Sequence, residues 1–235
     1  MLNLHGYGMR LVEGALVTVE LAALSLIIAV LLGLVTASAK LSKRRLPHLL
    51  ATLYTTLIRG VPDLVLMMLF FFGGQMLMND VSDWLYARFG LDLFFNIDAF
   101  IAGVLTIGLI FGAYMGETFR GAIQAIDKGQ VEAATACGMS RALIFRRIRF
   151  PLMMRHALPG LSNNWLVLLK TTALVSVIGL SDMVRVATQA SKTTLEPFTF
   201  MLFVAVIYLL LTSLSEWVFK RLTRKYNAGF TGGRS

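Results

Sequence analysis

Residues 14–38 read Gly14-Ala-Leu-Val-Thr-Val-Glu20-Leu-Ala-Ala-Leu-Ser25-Leu-Ile-Ile-Ala-Val30-Leu-Leu-Gly-Leu-Val-Thr-Ala-Ser38, and Glu20 is their one ionisable side chain. A helix rises about 1.5 Å per residue and a bilayer's hydrocarbon core is about 30 Å thick, so this stretch is long enough to cross it. It does not read as a cleavable signal peptide. The apolar run is too long, and positive charge follows it instead of preceding it. Four further segments qualify as spans, some with polar interruptions: about 48–73, 99–121, 156–180 and 198–219. Runs of this length exclude a membrane barrel, whose strands alternate over about 10 residues. There is no repeat between halves, and the only low-complexity segment is the short tail 229–235. The expectation is an all-α, polytopic membrane protein with about five transmembrane helices in a single domain over residues 1–235.

Composition agrees. Of 235 residues, 57% are apolar and 15% charged, against about 25% charged in a soluble domain. The mean hydropathy is +0.72. These values exclude a secreted disulfide scaffold, a disordered chain and an ordinary soluble enzyme. The net charge of +9 reads as basic cytoplasmic loops in a membrane protein, not as a nucleic-acid surface. The single cysteine, Cys137, excludes an internal disulfide and a Cys-based metal site.

The basic residues are unevenly placed. Lys40, Lys43, Arg44 and Arg45 follow the first span, seven lie in and beside the 122–155 loop, and five follow the last span; together these are 16 of the 22. The alternate loops are poorer in cations: 74–98 holds Asp80, Asp83, Asp92 and Asp98 against Arg88, and 181–197 is balanced. The positive-inside rule then places the N-terminus outside and the C-terminus in the cytoplasm, as an odd number of spans requires. Trp84 and Trp217 fall near the expected interfaces.

The 122–155 loop is not linker-like. Residues 131–137 are good helix formers, with Glu132 in the first turn. Gly138 can end or bend that helix, and Ser140 can cap a second one. Leu143, Ile144 and Ile148 share a face, and Pro151 is expected to break the chain before the next span. Two short helices at an angle on the membrane surface result. The residues alone allow either a basic amphipathic segment on anionic lipid or a docking element for a soluble partner.

Here a family resemblance enters. Glu132-Ala133-Ala134, Gly138, Ile148 and Pro151 have the spacing of the EAA loop and resemble the permease subunits of ABC importers; Phe150 stands where Leu is usual. Glu117-Thr-Phe-Arg120-Gly121, Ile58-Arg59-Gly60-Val61-Pro62 and Leu169-Lys170-Thr171-Thr172-Ala173-Leu174-Val175-Ser176-Val177-Ile178-Gly179 resemble the polar amino-acid branch of that family. Thr171 and Ala173 depart from the Asp and Ser of many relatives, and in this respect resemble the Q-type permeases of histidine/lysine/arginine/ornithine and arginine/ornithine uptake. The resemblance covers nearly the whole chain. It implies an ABC type I importer fold, a heterodimer with an M-type permease and a pair of ATP-binding subunits that hold ATP and Mg. It also implies a periplasmic or surface-anchored amino-acid-binding protein and a place in a bacterial cytoplasmic membrane. Glu132, Ala133, Ala134, Gly138, Arg141, Ile148 and Pro151 would then couple to the ATPase.

The chain itself has no Gly-x4-Gly-Lys-[Ser/Thr] phosphate loop, no serine-hydrolase elbow and no clear metal spacing, so it reads as a non-enzyme without a cofactor of its own. His5, His48 and His156 read as solvated. Intramembrane charge is costly and therefore informative. Arg59 and Asp63, four apart, are expected on one helix face beside a kink at Pro62, either as a structural pair or as part of a substrate path. Glu20 could attract a cationic substrate or bond a neighbouring helix. Lys170 could bind a substrate carboxylate or neutralise an acid on a partner. Glu117 and Arg120, three apart, read as a local structural pair positioning the loop. A self-sufficient secondary transporter or channel, a membrane enzyme and a non-transporting scaffold are the competing classes. The small size without detectable halves argues against the first, and the lack of a nucleophile–base pair against the second.

Overall fold

The computed structural model describes residues 4–91 and 96–227, so Asp92, Arg234 and the Gly-rich tail lie outside the described residues. The described chain is helical. Its elements are α1 (Gly8–Lys40), α2 (Arg45–Gly60), α3 (Asp63–Met68), α4 (Gly74–Phe89), α5 (Ala99–Gln124), α6 (Lys128–Ala136), α7 (Arg141–Ile144), α8 (Phe150–Thr171), α9 (Met183–Thr194) and α10 (Pro197–Asn227). A π-helical turn, Leu69–Gly73, joins α3 to α4, and another, Phe145–Arg149, joins α7 to α8. A 3₁₀ segment, Thr172–Ser176, follows α8. Gly8–Lys40, Asp63–Phe89, Ala99–Gln124 and Pro197–Asn227 are long and apolar enough to cross a membrane.

The core is the α1–α5 pair. On α1, Ala22, Ser25, Ala29, Gly33 and Thr36 are buried along one stripe; on α5, Gly108, Gly112 and Gly116 face it. Small residues at helical spacing let two backbones approach closely, the means by which helices associate where lipid removes any hydrophobic gain. The approach leaves no room for a side chain. A Cβ on Gly108 would sit 2.6 Å from Ile28 Cγ2, and one on Gly116 would sit 2.8 Å from Thr36 Cγ2. Ser25 adds a hydrogen bond to the Val104 carbonyl, 3.3 Å. On its other side α5 meets α8, where Asn164 Nδ2 donates to Thr118 Oγ1 at 3.0 Å.

A second, smaller cluster sits at the start of α1. Leu11 packs with Met183, Ala187 and Ala190 of α9 and with Phe200 and Val204 of α10. Thus α9 and the beginnings of α1 and α10 meet at one end. The opposite end holds Lys40 of α1, the end of α5, the α6–α7 segment and Tyr226 of α10. The three basic segments gather there.

Besides shifted helix ends, three features differ from the sequence reading. The expected 48–73 span is divided between α2 and α3. Val61 is extended (φ −113°, ψ 140°) and Pro62 continues so at ψ 137°, because a proline disfavours helix at the residue before it and cannot itself donate. The helix that follows runs through the π turn to Phe89, where a loop was expected from residue 74. Finally, Pro151 does not break the chain. The backbone stays helical from Arg141 through the π turn into α8, and that wider turn just before Pro151 makes room for its ring.

The exterior is apolar: Leu16, Ile27 and Leu31 on α1 and Leu209, Leu210 and Leu214 on α10 are all exposed. Such a continuous surface is untenable in water and ordinary in a bilayer.

Candidate functional site: a helix–glycine–helix loop at the basic end

Asp127 starts α6. Its carboxylate accepts from the Gly129 N–H at 2.7 Å, an N-cap that the sequence reading missed although Asp before a helical run is a recognised start. The helix ends in a Schellman motif: Gly138 N–H donates to the Thr135 carbonyl at 3.0 Å and Met139 N–H to the Ala134 carbonyl at 3.1 Å. Gly138 is left-handed, φ +77°, a conformation glycine adopts without strain. Ser140 then caps α7 by accepting from the Leu143 N–H at 3.3 Å. Two caps and one glycine therefore set the angle between the short helices.

That angle opens an apolar groove of about 460 Å³ lined by Ala133, Ala134, Cys137, Ile148, Pro151 and Tyr226, among others. Four of the seven residues expected to couple, Ala133, Ala134, Ile148 and Pro151, meet in it. Gly138 forms the bend beside it. Glu132 points to a second cleft with Lys128, Val131 and Arg149. Arg141 is exposed at the start of α7. Tyr226 reaches the groove from α10; nothing local in the sequence links residue 226 to residue 133.

The loop is tied to the spans by charge. Arg120 binds Glu117 at 2.8 Å and Gln124 at 2.9 Å, the local pair the spacing suggested. Lys40, from the end of α1, joins the same carboxylate, a contact set by the α1–α5 register that no local pattern reveals. One carboxylate thus binds the basic-end termini of both core helices together just before the loop begins.

The four substrate-path residues are not brought together. Arg59 and Asp63 do not pair, because the break at Val61 and Pro62 sets them on different helices. Arg59 instead lies over the Tyr114 ring, 5.3 Å from its centroid, a favourable cation–π placement. It lines a polar cleft of about 550 Å³ with Lys40, Thr55, Thr56, Tyr114 and Glu117. Glu20 is exposed on the outer face of α1, and Lys170 is exposed in the last turn of α8.

At the opposite end the structure shows a residue the sequence reading did not single out. Asp182 is wholly buried and caps α9, accepting from Arg185 N–H at 3.0 Å and Val184 N–H at 3.2 Å. Burial pushes its carboxyl up to about 6, against the pull of those backbone donors and the nearby Arg185 guanidinium. Arg185 in turn donates to the Ser176 carbonyl at 3.0 Å.

Comparison with known proteins bears on this geometry. Residues 29–228 match the family described as binding-protein-dependent transport system inner membrane component. The chain is 52% identical over 226 residues to the histidine/lysine/arginine/ornithine transport system permease protein HisQ of Salmonella typhimurium, covering 96% of this chain and 97% of that one. It is 41% identical to the nopaline transport system permease protein NocQ of Agrobacterium fabrum, over 95% and 94% of the two chains. Among solved structures, an amino acid ABC transporter crystallised with histidines superposes with a TM-score of 0.76 at 34% identity, over 93% of this chain and 95% of that one. A methionine ABC transporter in an inward-facing form shares the fold, with a TM-score of 0.66 at 15% identity over 93% and 96%.

Proposed function

Since the chain belongs to the family of binding-protein-dependent transport system inner membrane components, we propose that it is one permease subunit of an ATP-driven amino-acid importer whose cargo is basic. The observation that carries the coupling half of this reading is the rigidly capped α6–α7 bend and its apolar groove, displayed beside the Lys40–Glu117–Arg120 cluster. The cargo half is supported by the named cargo of relatives similar over nearly their whole length. In this reading the groove receives a surface element of a cytoplasmic ATP-binding subunit. ATP and Mg are held there, and this chain contributes no hydrolytic group.

The basic end faces the cytoplasm, because cations concentrate there; the N-terminus then lies outside and the C-terminus inside. A second, M-type permease lies alongside, and an amino-acid-binding protein delivers cargo from the outer side. The division of the chain into five spans, with Asp63–Phe89 as the second and α8 as the fourth, belongs to the same proposal. Arg59, Asp63, Glu20 and Lys170 remain substrate-path residues only if the second permease brings them to a shared cavity, since within one chain they are apart.

Purification from native membranes in mild detergent, followed by native mass spectrometry, tests the assembly. The expected complex holds one copy of this chain, one related permease and two ATPases. Two copies of this chain with two ATPases would remove the M-type pairing. The chain alone, moving substrate in liposomes without ATP, would overturn the importer reading.

A further inference from the structure

The end of α10 and the middle of α8 run antiparallel and enclose a groove of about 470 Å³ that the coupling loop does not use. Its walls are graded. Leu166 and Phe219 make an apolar inner part; Thr223, Lys220 and Arg224 lie toward the basic end. Pro159 and Ser162 complete the α8 wall. The one acid among the lining residues, Glu216, is bound to Lys220 at 3.2 Å, which leaves the Arg224 charge uncompensated by the groove's own walls. One turn earlier, Arg221 lies 3.7 Å from the Trp217 ring centroid. A tryptophan of this kind, followed at once by cations, marks the level where a bilayer's headgroups begin. The exposed Leu214, Trp217 and Val218 continue the apolar wall outward along α10.

We propose that this groove binds an anionic phospholipid of the cytoplasmic leaflet, with its phosphodiester at Arg224 and an acyl chain against Leu166 and Phe219. Along α10 the groove runs from the Glu216–Lys220 ion pair past Phe219 to Thr223 and Arg224 at the basic end, so the charge left uncompensated by the walls is the shallow one, with Leu166 and Phe219 supplying apolar wall behind it. Basic clefts between helices at this level suit anionic headgroups. A zwitterionic lipid carries its own cation beside the phosphodiester and gains less from Arg224, and a free phosphate would leave the apolar half unfilled. The inference requires only that the chain sits in a bilayer with its basic end at the cytoplasmic headgroups.

The test uses the detergent-purified complex, exchanged into micelles containing phosphatidylglycerol or phosphatidylcholine and read by native mass spectrometry. Phosphatidylglycerol should be retained over phosphatidylcholine. Arg224→Gln should lower retention on the order of fivefold, the contribution of one basic residue near an anionic surface. Leu166→Trp, which keeps every charge and fills the inner half, should lower it as well. Arg10→Gln, at the opposite end, should leave it unchanged. Equal retention of both lipids, or undiminished retention in Arg224→Gln and Leu166→Trp, would overturn the proposal. Displacement of the lipid by inorganic phosphate at matched ionic strength would reduce the site to one for a free anion and overturn it too.

Discussion

Gly138 sits at φ +77°, and no atom lies within 4 Å of the position a Cβ would take. Any effect of a side chain there is therefore conformational, not steric. A β-branched residue in the left-handed region costs about 1–2 kcal/mol, and straightening the bend would close the groove. Gly138→Val is expected to leave membrane abundance normal and to lower ATP-driven uptake at least about tenfold, a 1.4 kcal/mol effect on coupling. Gly138→Asn, whose side chain tolerates this conformation, should retain most uptake. Equal uptake in both variants and the parent would show that the bend is not needed.

Asp182 allows a second test at this scale. The folded protein holds its proton more tightly than the unfolded chain does, since burial raises the carboxyl from 3.8 to about 6. The folded state is thus favoured most below that window and loses stability as pH rises through it, by on the order of 3 kcal/mol. Asp182→Asn stays neutral and keeps a carbonyl to cap α9. The parent's melting temperature in detergent should fall relative to the variant's between pH 4 and 6 and run parallel to it above that. A difference independent of pH would refute the assignment. Gly138 was legible in the sequence, because a glycine after seven helix formers and before a Ser has few other uses. Asp182 was not, because burial comes from α1, α9 and α10 meeting, and only the tertiary fold supplies that.

At the scale of elements, the packing of α1 on α5 makes a sharp contrast between two glycines of one helix. A Cβ at Gly112 would lie 2.8 Å from Leu32 Cβ and 2.9 Å from the Tyr54 hydroxyl, whereas at Gly121 it would meet nothing within 4 Å. Overpacking a tight interface costs about 1–3 kcal/mol. Replacing a helical glycine by alanine in open space gains up to about 1 kcal/mol. Gly112→Ala should therefore lower the melting temperature of the purified complex, and Gly121→Ala should hold or raise it. The reverse order would mean that α1 and α5 do not pack as described. The long apolar helices were legible from length and hydropathy alone. The ends were less so. Pro151 reads as a breaker on any linear scan, yet directly after the π turn Phe145–Arg149 the helix runs on through it. Pro62 reads as a kink within one span, yet with Val61 it makes a full break and sends Arg59 to Tyr114. Likewise the Lys40–Glu117 contact depends on which turns of two helices meet, and spacing within either helix carries no information about that.

For the whole molecule, charge and apolar surface tell one story. The exterior of α1 and α10 suits lipid, the cations gather at one end, and the capped α6–α7 bend lies at that same end. This arrangement supports the proposed docking of a soluble partner at that end. The one cysteine of the chain, Cys137, is exposed and lines the groove at the bend, so the native protein carries its own probe. The direct test is labelling of Cys137 with a membrane-impermeant maleimide in vesicles of defined orientation, with the ATP-binding subunits present and after they are stripped. The account predicts labelling from the cytoplasmic side only, rapid in stripped membranes and strongly slowed when the ATPase is restored. Labelling from the outer side, or a rate indifferent to the ATPase, would contradict it.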